Sequence, residues 1–191
     1  METSFNADGS GRMTMVFRIS QALLQMGEEE SGVDIPLSRD DLLAEFEDVD
    51  GVTVVDVTEE DTGEDRIITA VLDFDSFNDL AGGDGFPGEE AMLEEKNGKS
   101  HFSIMVGQPQ GPADDGADSA EAAQFEMDDA AKAMVQSFME GYDLEYRIVA
   151  PRKISSYSHG ELSPDGRTLV FSLPMGDFFV IEEPYYLEVI W

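Results

Sequence analysis

The C-terminal third of the chain alternates between apolar and polar positions with a period of two residues. Three such runs, at 142–150, 153–159 and 168–174, are separated by turn residues. This arrangement predicts three neighbouring strands of an antiparallel meander. The Pro-Asp-Gly sequence at 164–166 predicts a tight turn before the last run, because proline fixes φ and glycine permits a positive φ.

Three more pairs of strands are predicted upstream from the same alternation. They lie at 2–19, 52–74 and 91–106. The Asn-Gly pair at 97–98 is typical of a type I′ hairpin turn. A last run, at 185–191, is apolar on both faces and indicates a buried strand or one that continues further.

Helices are predicted between the strand pairs, at 21–26, 38–47, 76–80 and 119–140. The longest of them repeats apolar residues at intervals of three and four, which places them on one face. That face consists of Ala123, Met127, Ala131, Met134 and Phe138.

Strands joined in hairpins, with helices between the pairs, predict an α+β fold. We expect a mainly antiparallel sheet with the helices, the longest at about 119–140, packed on one side. A length of 191 residues fits one domain over 1–191. The Gly-, Pro- and Asp-rich segments at 81–89 and 107–117 are predicted to be mobile loops.

The charge of the chain is strongly negative. There are 11 basic and 42 acidic residues, for a net charge of −31. A polyanion is repelled by nucleic acid and has no basic patch for anionic lipid, so both are excluded as partners. The acids are spread between the apolar runs, which favours a solvated halophilic surface over a disordered acidic tail. At molar salt the Debye length is roughly 3 Å, so the self-repulsion of such a surface is screened.

The candidate chemistry for catalysis is sparse. The chain has no cysteine, which excludes disulfides and thiolate metal sites. Its two histidines, His101 and His159, are not connected to a nucleophile by any known spacing. Ser155, Ser156 and Ser158 lack the Gly-x-Ser-x-Gly elbow of a hydrolase. We therefore expect a protein that is not an enzyme and that needs no cofactor or metal.

The methionine-bearing face of the long helix has two interpretations. It can simply fill the core, or it can line an adaptable apolar cavity between helix and sheet, because methionine suits flexible ligands. The second interpretation predicts a cavity with Phe178, Phe179, Tyr185, Tyr186 and Trp191 at its mouth, and a binding site made of five residues of the helix face and this mouth. Its residues are Met127, Met134, Phe138, Phe178 and Phe179.

Three stretches of the sequence resemble the LppM-like ectodomains of bacterial surface lipoproteins. They are the opening hairpin at 6–17, the strand and short helix at 67–80, and the closing strands at 146–160 with 168–177. Phe171 stands where the family has an aromatic residue before Leu-Pro. The resemblance implies an extracytoplasmic protein, anchored in the membrane as a lipoprotein through a cysteine that lies outside this sequence. It carries no catalytic motif.

Two hypotheses for function follow. The first is a non-enzymatic lipoprotein ectodomain that binds a lipid, a glycolipid or another apolar ligand between helix and sheet. The alternative is a cell-surface interaction or scaffold module with a filled core, an exposed aromatic patch near 178–191 and another envelope protein as its partner.

The halophilic interpretation predicts a strong response to salt. The melting temperature should rise steeply as KCl is raised from about 0.1 M towards molar concentrations, because screening removes repulsion between surface carboxylates. Thermal denaturation followed by circular dichroism measures this. A flat response would contradict the interpretation.

Overall fold

A computed structural model describes residues 1–21, 24, 38–46, 49–83, 86, 90–107, 129–181 and 183–191. The strands in these ranges are β1 (Glu2–Phe5), β2 (Gly11–Ser20), β3 (Val52–Asp61), β4 (Asp65–Phe74), β5 (Met92–Lys96), β6 (Lys99–Val106), β7 (Asp143–Val149), β8 (Ser156–Tyr157), β9 (Glu161–Leu162), β10 (Thr168–Pro174) and β11 (Tyr185–Ile190). The helices are α1 (Arg39–Phe46), α2 (Phe77–Ala81), α3 (Asp129–Phe138) and α4 (Met175–Phe178).

The strands form two sheets. The large sheet has seven strands in the order β3-β4-β2-β1-β7-β10-β9, and the small sheet has four in the order β5-β6-β11-β8. Among the described strands, β1 and β7 run parallel and every other pair is antiparallel. The predicted α+β class with mainly antiparallel pairing is confirmed. One sheet was expected, however, and the strands form two.

The predicted C-terminal meander is wrong in its middle strand. The outer runs are direct neighbours, because β7 pairs with β10 from Asp143↔Pro174 to Val149↔Thr168. The middle run crosses to the small sheet, where Tyr157 of β8 lies opposite Val189 of β11. A period of two shows that a segment is a strand but does not select its neighbour.

The upstream hairpins lie where the alternation predicted them. β1 pairs with β2, β3 with β4 and β5 with β6. The turn between β5 and β6 has Asn97 at φ 55° and Gly98 at φ 71°, the two positive values that a type I′ turn requires. Local sequence therefore determines these pairs.

Serine begins two of the helices, as predicted. Ser38 Oγ accepts a hydrogen bond from the Asp41 N–H at 3.2 Å, and Ser76 Oγ accepts one from the Asp79 N–H at 3.4 Å. Both satisfy N–H groups that the first turn of a helix leaves free. Residues 119–128 of the predicted long helix lie outside the described residues, as do 22–23 and 25–26 of the first one.

The segment after β10 contains the short helix α4. The predicted mobile loops fall mostly outside the described residues: only 81–83 and 86 of the first and Gly107 of the second are described. Their mobility stays a prediction.

The core lies between the two sheets. Alternate residues of the central strands are fully buried there, including Met13 and Met15 on β2, Ile68 and Leu72 on β4, and Ile104 on β6. These residues define the inner face of each sheet. The intervening positions define the outer faces.

An aromatic cluster joins the sheets at the centre of the core. The ring centroid of Phe5 lies 5.7 Å from that of Phe102 and 5.1 Å from that of Trp191. Phe77 of α2 packs edge-to-face against Phe5 at 5.4 Å and against Phe102 at 5.3 Å. Through Phe5 of β1 and Phe77 of α2, the large sheet thus packs against β6 and against Trp191, which follows β11. Rings at these spacings add about 0.5–1.5 kcal/mol per pair beyond the area that they bury.

A buried carboxylate ties the start of β4 to β2 and to the residue before β7. Asp65 is only 4% exposed. It accepts hydrogen bonds from Arg18 Nε at 2.6 Å and from the Tyr142 hydroxyl at 2.7 Å. The Arg18 guanidinium carbon also lies 5.3 Å from the centroid of the Tyr142 ring, a cation–π distance. The hydrogen bonds from Tyr142 and Arg18 lower the pKa of Asp65 below its ordinary value.

No helix within the described ranges is long and apolar enough to cross a membrane.

Removing one ring of the aromatic cluster should destabilise the fold. We expect Phe77→Ala to lower the free energy of unfolding by about 3–5 kcal/mol, since the fully buried ring leaves a cavity. Phe77→Leu keeps most of the volume and should cost less. As a control, Val16→Thr on the outer face, where Val16 is 54% exposed, should change it by less than about 0.5 kcal/mol. Urea denaturation measures all three, and equal losses for Phe77→Ala and Val16→Thr would contradict the central role of the cluster.

The Asp65 interactions predict a pH-dependent effect. Because the pKa of Asp65 is lowered in the folded protein, its stabilisation is fully present above the unfolded value of about 3.9 and is lost as the pH falls through the folded value. Asp65→Asn should therefore lower the melting temperature at neutral pH. The difference in melting temperature between Asp65→Asn and the wild type should begin to decrease below about pH 4.

The matched control is Asp56→Asn, which removes the same charge from an exposed position on β3. It should leave the melting temperature close to the wild-type value at neutral pH. The same loss in both variants would show that Asp65 acts only through the total charge.

Candidate functional site

The structure describes three of the five residues of the predicted helix–sheet site with their side chains: Met134, Phe178 and Phe179. Met127 lies outside the described residues, and so does the side chain of Phe138. Met134 is described, and 75% of it is exposed to solvent. It therefore contributes surface, and not the lining of an interior cavity.

Phe178 and Phe179 meet at the end of α4. Their ring centroids are 5.6 Å apart in an edge-to-face arrangement. Both residues are half-buried, and Phe178 packs against the core. They form an aromatic corner of the molecule.

Helix α3 lies against α4 at very close range. A Cβ atom added to the buried Gly176 would lie 2.8 Å from the Cα atom of Gln136, closer than real contacts allow. Gln136 Nε2 also donates a hydrogen bond to Asp177 Oδ1 at 2.9 Å. The described part of α3 is thus held by α4, with Met134 exposed.

The outer face of the small sheet presents a second group of side chains. Residues of β11, β6 and β5 that alternate with the buried ones lie in register on this face. We call this surface the Tyr–Met face. It consists of Met92, Glu94, His101, Ser103, Met105, Tyr186, Glu188 and Ile190.

Aromatic and methionine side chains remain accessible on the Tyr–Met face. Tyr186 is 44% exposed and Met92 is 42% exposed. Tyr186 lies directly opposite Met105, and Met92 lies opposite Ser103. Tyrosine and methionine are enriched at protein interfaces, where they supply apolar contact area.

Carboxylates border the Tyr–Met face. The Tyr186 hydroxyl donates a hydrogen bond to Glu90 Oε2, which raises the pKa of Tyr186. Glu90 has a φ of 51°, a backbone conformation that few residues other than glycine adopt. Glu188 lies on β11 between Tyr186 and Ile190 and is exposed. Glu94 lies on β5 and forms an ion pair with Lys96.

Three of the residues weighed as catalytic candidates, His159, Ser155 and Ser158, have structural contacts. His159 packs on Tyr185 with ring centroids 4.8 Å apart, and its Nδ1 lies 3.0 Å from Ser158 Oγ. That hydroxyl donates to the Tyr186 carbonyl at 3.1 Å and accepts from the Glu188 N–H at 2.9 Å. Ser155 Oγ donates to the Ile190 carbonyl at 3.2 Å. These hydroxyls extend the pairing of β8 with β11.

On the opposite face of β11 from the Tyr–Met face, a second aromatic cluster lies at the start of the strand. Phe171 contacts Tyr185 at 6.4 Å and stacks on Tyr146 at 6.3 Å, both between ring centroids. Burial raises the pKa of Tyr146 to about 12 and also raises that of Tyr185. Both phenols therefore stay protonated at neutral pH and act as packing groups.

Three of the four edge strands of the two sheets are poor docking sites. β8 and β9 each have two residues. β3 has a bulge between Val54 and Asp56 and ends in Glu59, Glu60 and Asp61. Short, bulged or charged edge strands discourage pairing with another chain.

The sequence of β11 contains the residues of the Tyr–Met face, but its periodicity alone does not show which of its two faces is exposed. Tyr186, Glu188 and Ile190 alternate with Leu187 and Val189, but both sets contain apolar residues. The run therefore appeared buried on both faces. Only the packing of the small sheet shows which set faces outwards.

The fold and this surface define an α+β domain of two packed sheets with an accessible Tyr–Met face. The chain is similar to the folded domain of LppM from Mycobacterium tuberculosis, solved by NMR: the match covers 99% of this chain and 85% of that one, with a TM-score of 0.49 and 12% identity. This is the family that the three sequence stretches resemble. The likeness concerns the fold and assigns no binding residue. No protein-family model matches the sequence, and no curated protein matches it either.

Proposed function

We propose that the protein is the non-enzymatic ectodomain of an extracytoplasmic lipoprotein and serves as an interaction module of the cell envelope. The observation that carries this proposal is the Tyr–Met face. Tyr186 and Met92 are exposed on its two outer strands, and the half-buried Met105 lies on the strand between them, so the three residues offer a shared contact surface. A partner that covered Tyr186 and Met92 would bury side chains of the kinds that dominate binding energy at interfaces.

The absence of catalysis is part of the proposal. It is supported by the contacts of the candidate groups: the Ser155 and Ser158 hydroxyls bond to β11, and the His159 ring packs on Tyr185. The location outside the cytoplasm is supported by the sequence stretches at 6–17, 67–80 and 146–177. A lipidated cysteine outside this sequence would supply the membrane anchor.

A lipid or glycolipid ligand is the second candidate function. The half-buried pair Phe178 and Phe179 favours it, since aromatic groups at the end of a short helix offer apolar contact to an acyl chain. The exposure of Met134 weighs against a cavity behind α3 lined by that residue. The aromatic corner would therefore hold a ligand near the surface.

Site-specific photo-crosslinking tests the proposal. A photoreactive phenylalanine analogue is placed at Tyr186 or at Met92 in the protein expressed in its own cells. Both positions should give the same discrete crosslinked protein, because both lie on the Tyr–Met face. The control position is Val55 on β3, which is 48% exposed and should not give that product.

Two results would contradict the interaction module. One is the same set of products from Val55 as from Tyr186; the other is no protein product at any position. Native mass spectrometry of protein purified from its own envelope then tests the second candidate. A co-purifying lipid that is lost in Phe179→Asp would establish ligand binding at the aromatic corner.

A further inference from the structure

The Tyr–Met face has the width of one helix. Neighbouring strands lie about 4.8 Å apart, so β11, β6 and β5 together span about 10 Å. An α-helix with its side chains is about 10–12 Å wide. One helix can therefore cover the three strands and contact apolar groups in all of them.

Apolar groups and carboxylates alternate along the two flanking strands of this face. On β11 the order is Tyr186, Glu188, Ile190, and the β5 side has Glu90 followed by Met92. The central strand contributes Met105 between the flanks. A complementary helix would carry an apolar stripe bordered by positive charges on both sides.

The negative charge around this face favours a partner that carries positive charge. The chain carries −31 overall, and Glu188 is exposed beside Tyr186. Described basic residues of the small sheet lie at its hairpin end, where Lys96 is paired with Glu94. A second copy of the chain would bring like charges together, whereas a cationic partner would be attracted and steered to the face.

We infer that the Tyr–Met face binds an amphipathic helical segment rich in Lys and Arg from another protein. This inference rests on the proposed interaction function and specifies the chemistry of the partner. Met92 and Met105 adapt to the apolar stripe of the helix. Glu188 and Glu90 pair with its basic residues, and the Tyr186 ring accepts a cation on its face.

The inference is tested with purified protein and three synthetic peptides. The first is a Leu/Lys peptide with an amphipathic helical pattern. The second has the same composition in scrambled order, and the third carries Glu in place of Lys. Isothermal titration at moderate salt should give binding to the first peptide at least about tenfold tighter than to the second, and none to the third. Amide shifts on binding should map to β5, β6 and β11.

Variants distinguish the Tyr–Met face from diffuse attraction to an acidic protein. We expect Tyr186→Ala to weaken binding of the first peptide about tenfold and Glu188→Gln about threefold. Glu60→Gln removes the same charge from the exposed edge strand β3 and should change the affinity for the first peptide less than about twofold. Melting temperatures should stay near the wild-type value in all three variants, because the substituted side chains are exposed.

Equal affinities for the ordered and scrambled peptides, or equal losses in Glu188→Gln and Glu60→Gln, would overturn the inference. In that case the affinity for the peptide would depend only on the net charge of the protein. The crosslinking contrast between positions 186 and 55 does not depend on partner charge, so it would still support the interaction module. If crosslinking fails as well, both proposals fail together.

Discussion

The packing of aromatic rings between two sheets is the constraint on which this fold depends. Phe5 comes from the first strand of the chain and Trp191 from its last residue, yet their ring centroids lie 5.1 Å apart. Phe77 and Phe102 complete the contact from α2 and β6. Because the chain crosses between the sheets several times, neither sheet has a core of its own. Each sheet becomes stable only when its inner face is covered by the other.

Because the inner faces of the sheets are covered by this packing, the two outer faces remain accessible, and they carry different side chains. On the large sheet, exposed apolar groups such as Val16 lie among ion pairs, including Arg12 with Asp73 at 2.7 Å and Arg147 with Glu2 at 3.5 Å. Surface pairs of this kind contribute little stability, but in a chain with 11 basic and 42 acidic residues they neutralise part of the excess charge. The small sheet instead exposes Tyr186 and Met92 beside carboxylates. The two faces differ in chemistry, and the second is the one that we propose as a binding surface.

The helix and the aromatic residues of the candidate site are predictable from the sequence only in part. The apolar repeat of residues 119–140 correctly predicted a helix at Asp129–Phe138, but it did not predict that Met134 faces solvent. The aromatic patch expected near 178–191 is divided by the fold: Trp191 is buried in the core, Tyr185 packs with His159, and Tyr186 is exposed. Residue type identified the aromatic groups. Their separation depends on which face of β11 packs against the core.

The sequence by itself determined the local structure of this protein: the hairpin turn at Asn97-Gly98, the serine caps of α1 and α2, and the alternation that marks each strand. These features depend on residues a few positions apart, so their signals are complete within a short stretch. The tertiary structure alone decided the parallel pairing of β1 with β7, the transfer of β8 to the small sheet and the face that remains open. Those choices join residues that are distant in the sequence, from 32 positions in Tyr157↔Val189 to 145 in Glu2↔Arg147. They are set by the fit of the aromatic side chains in the common core, which an alternation of apolar and polar residues does not encode.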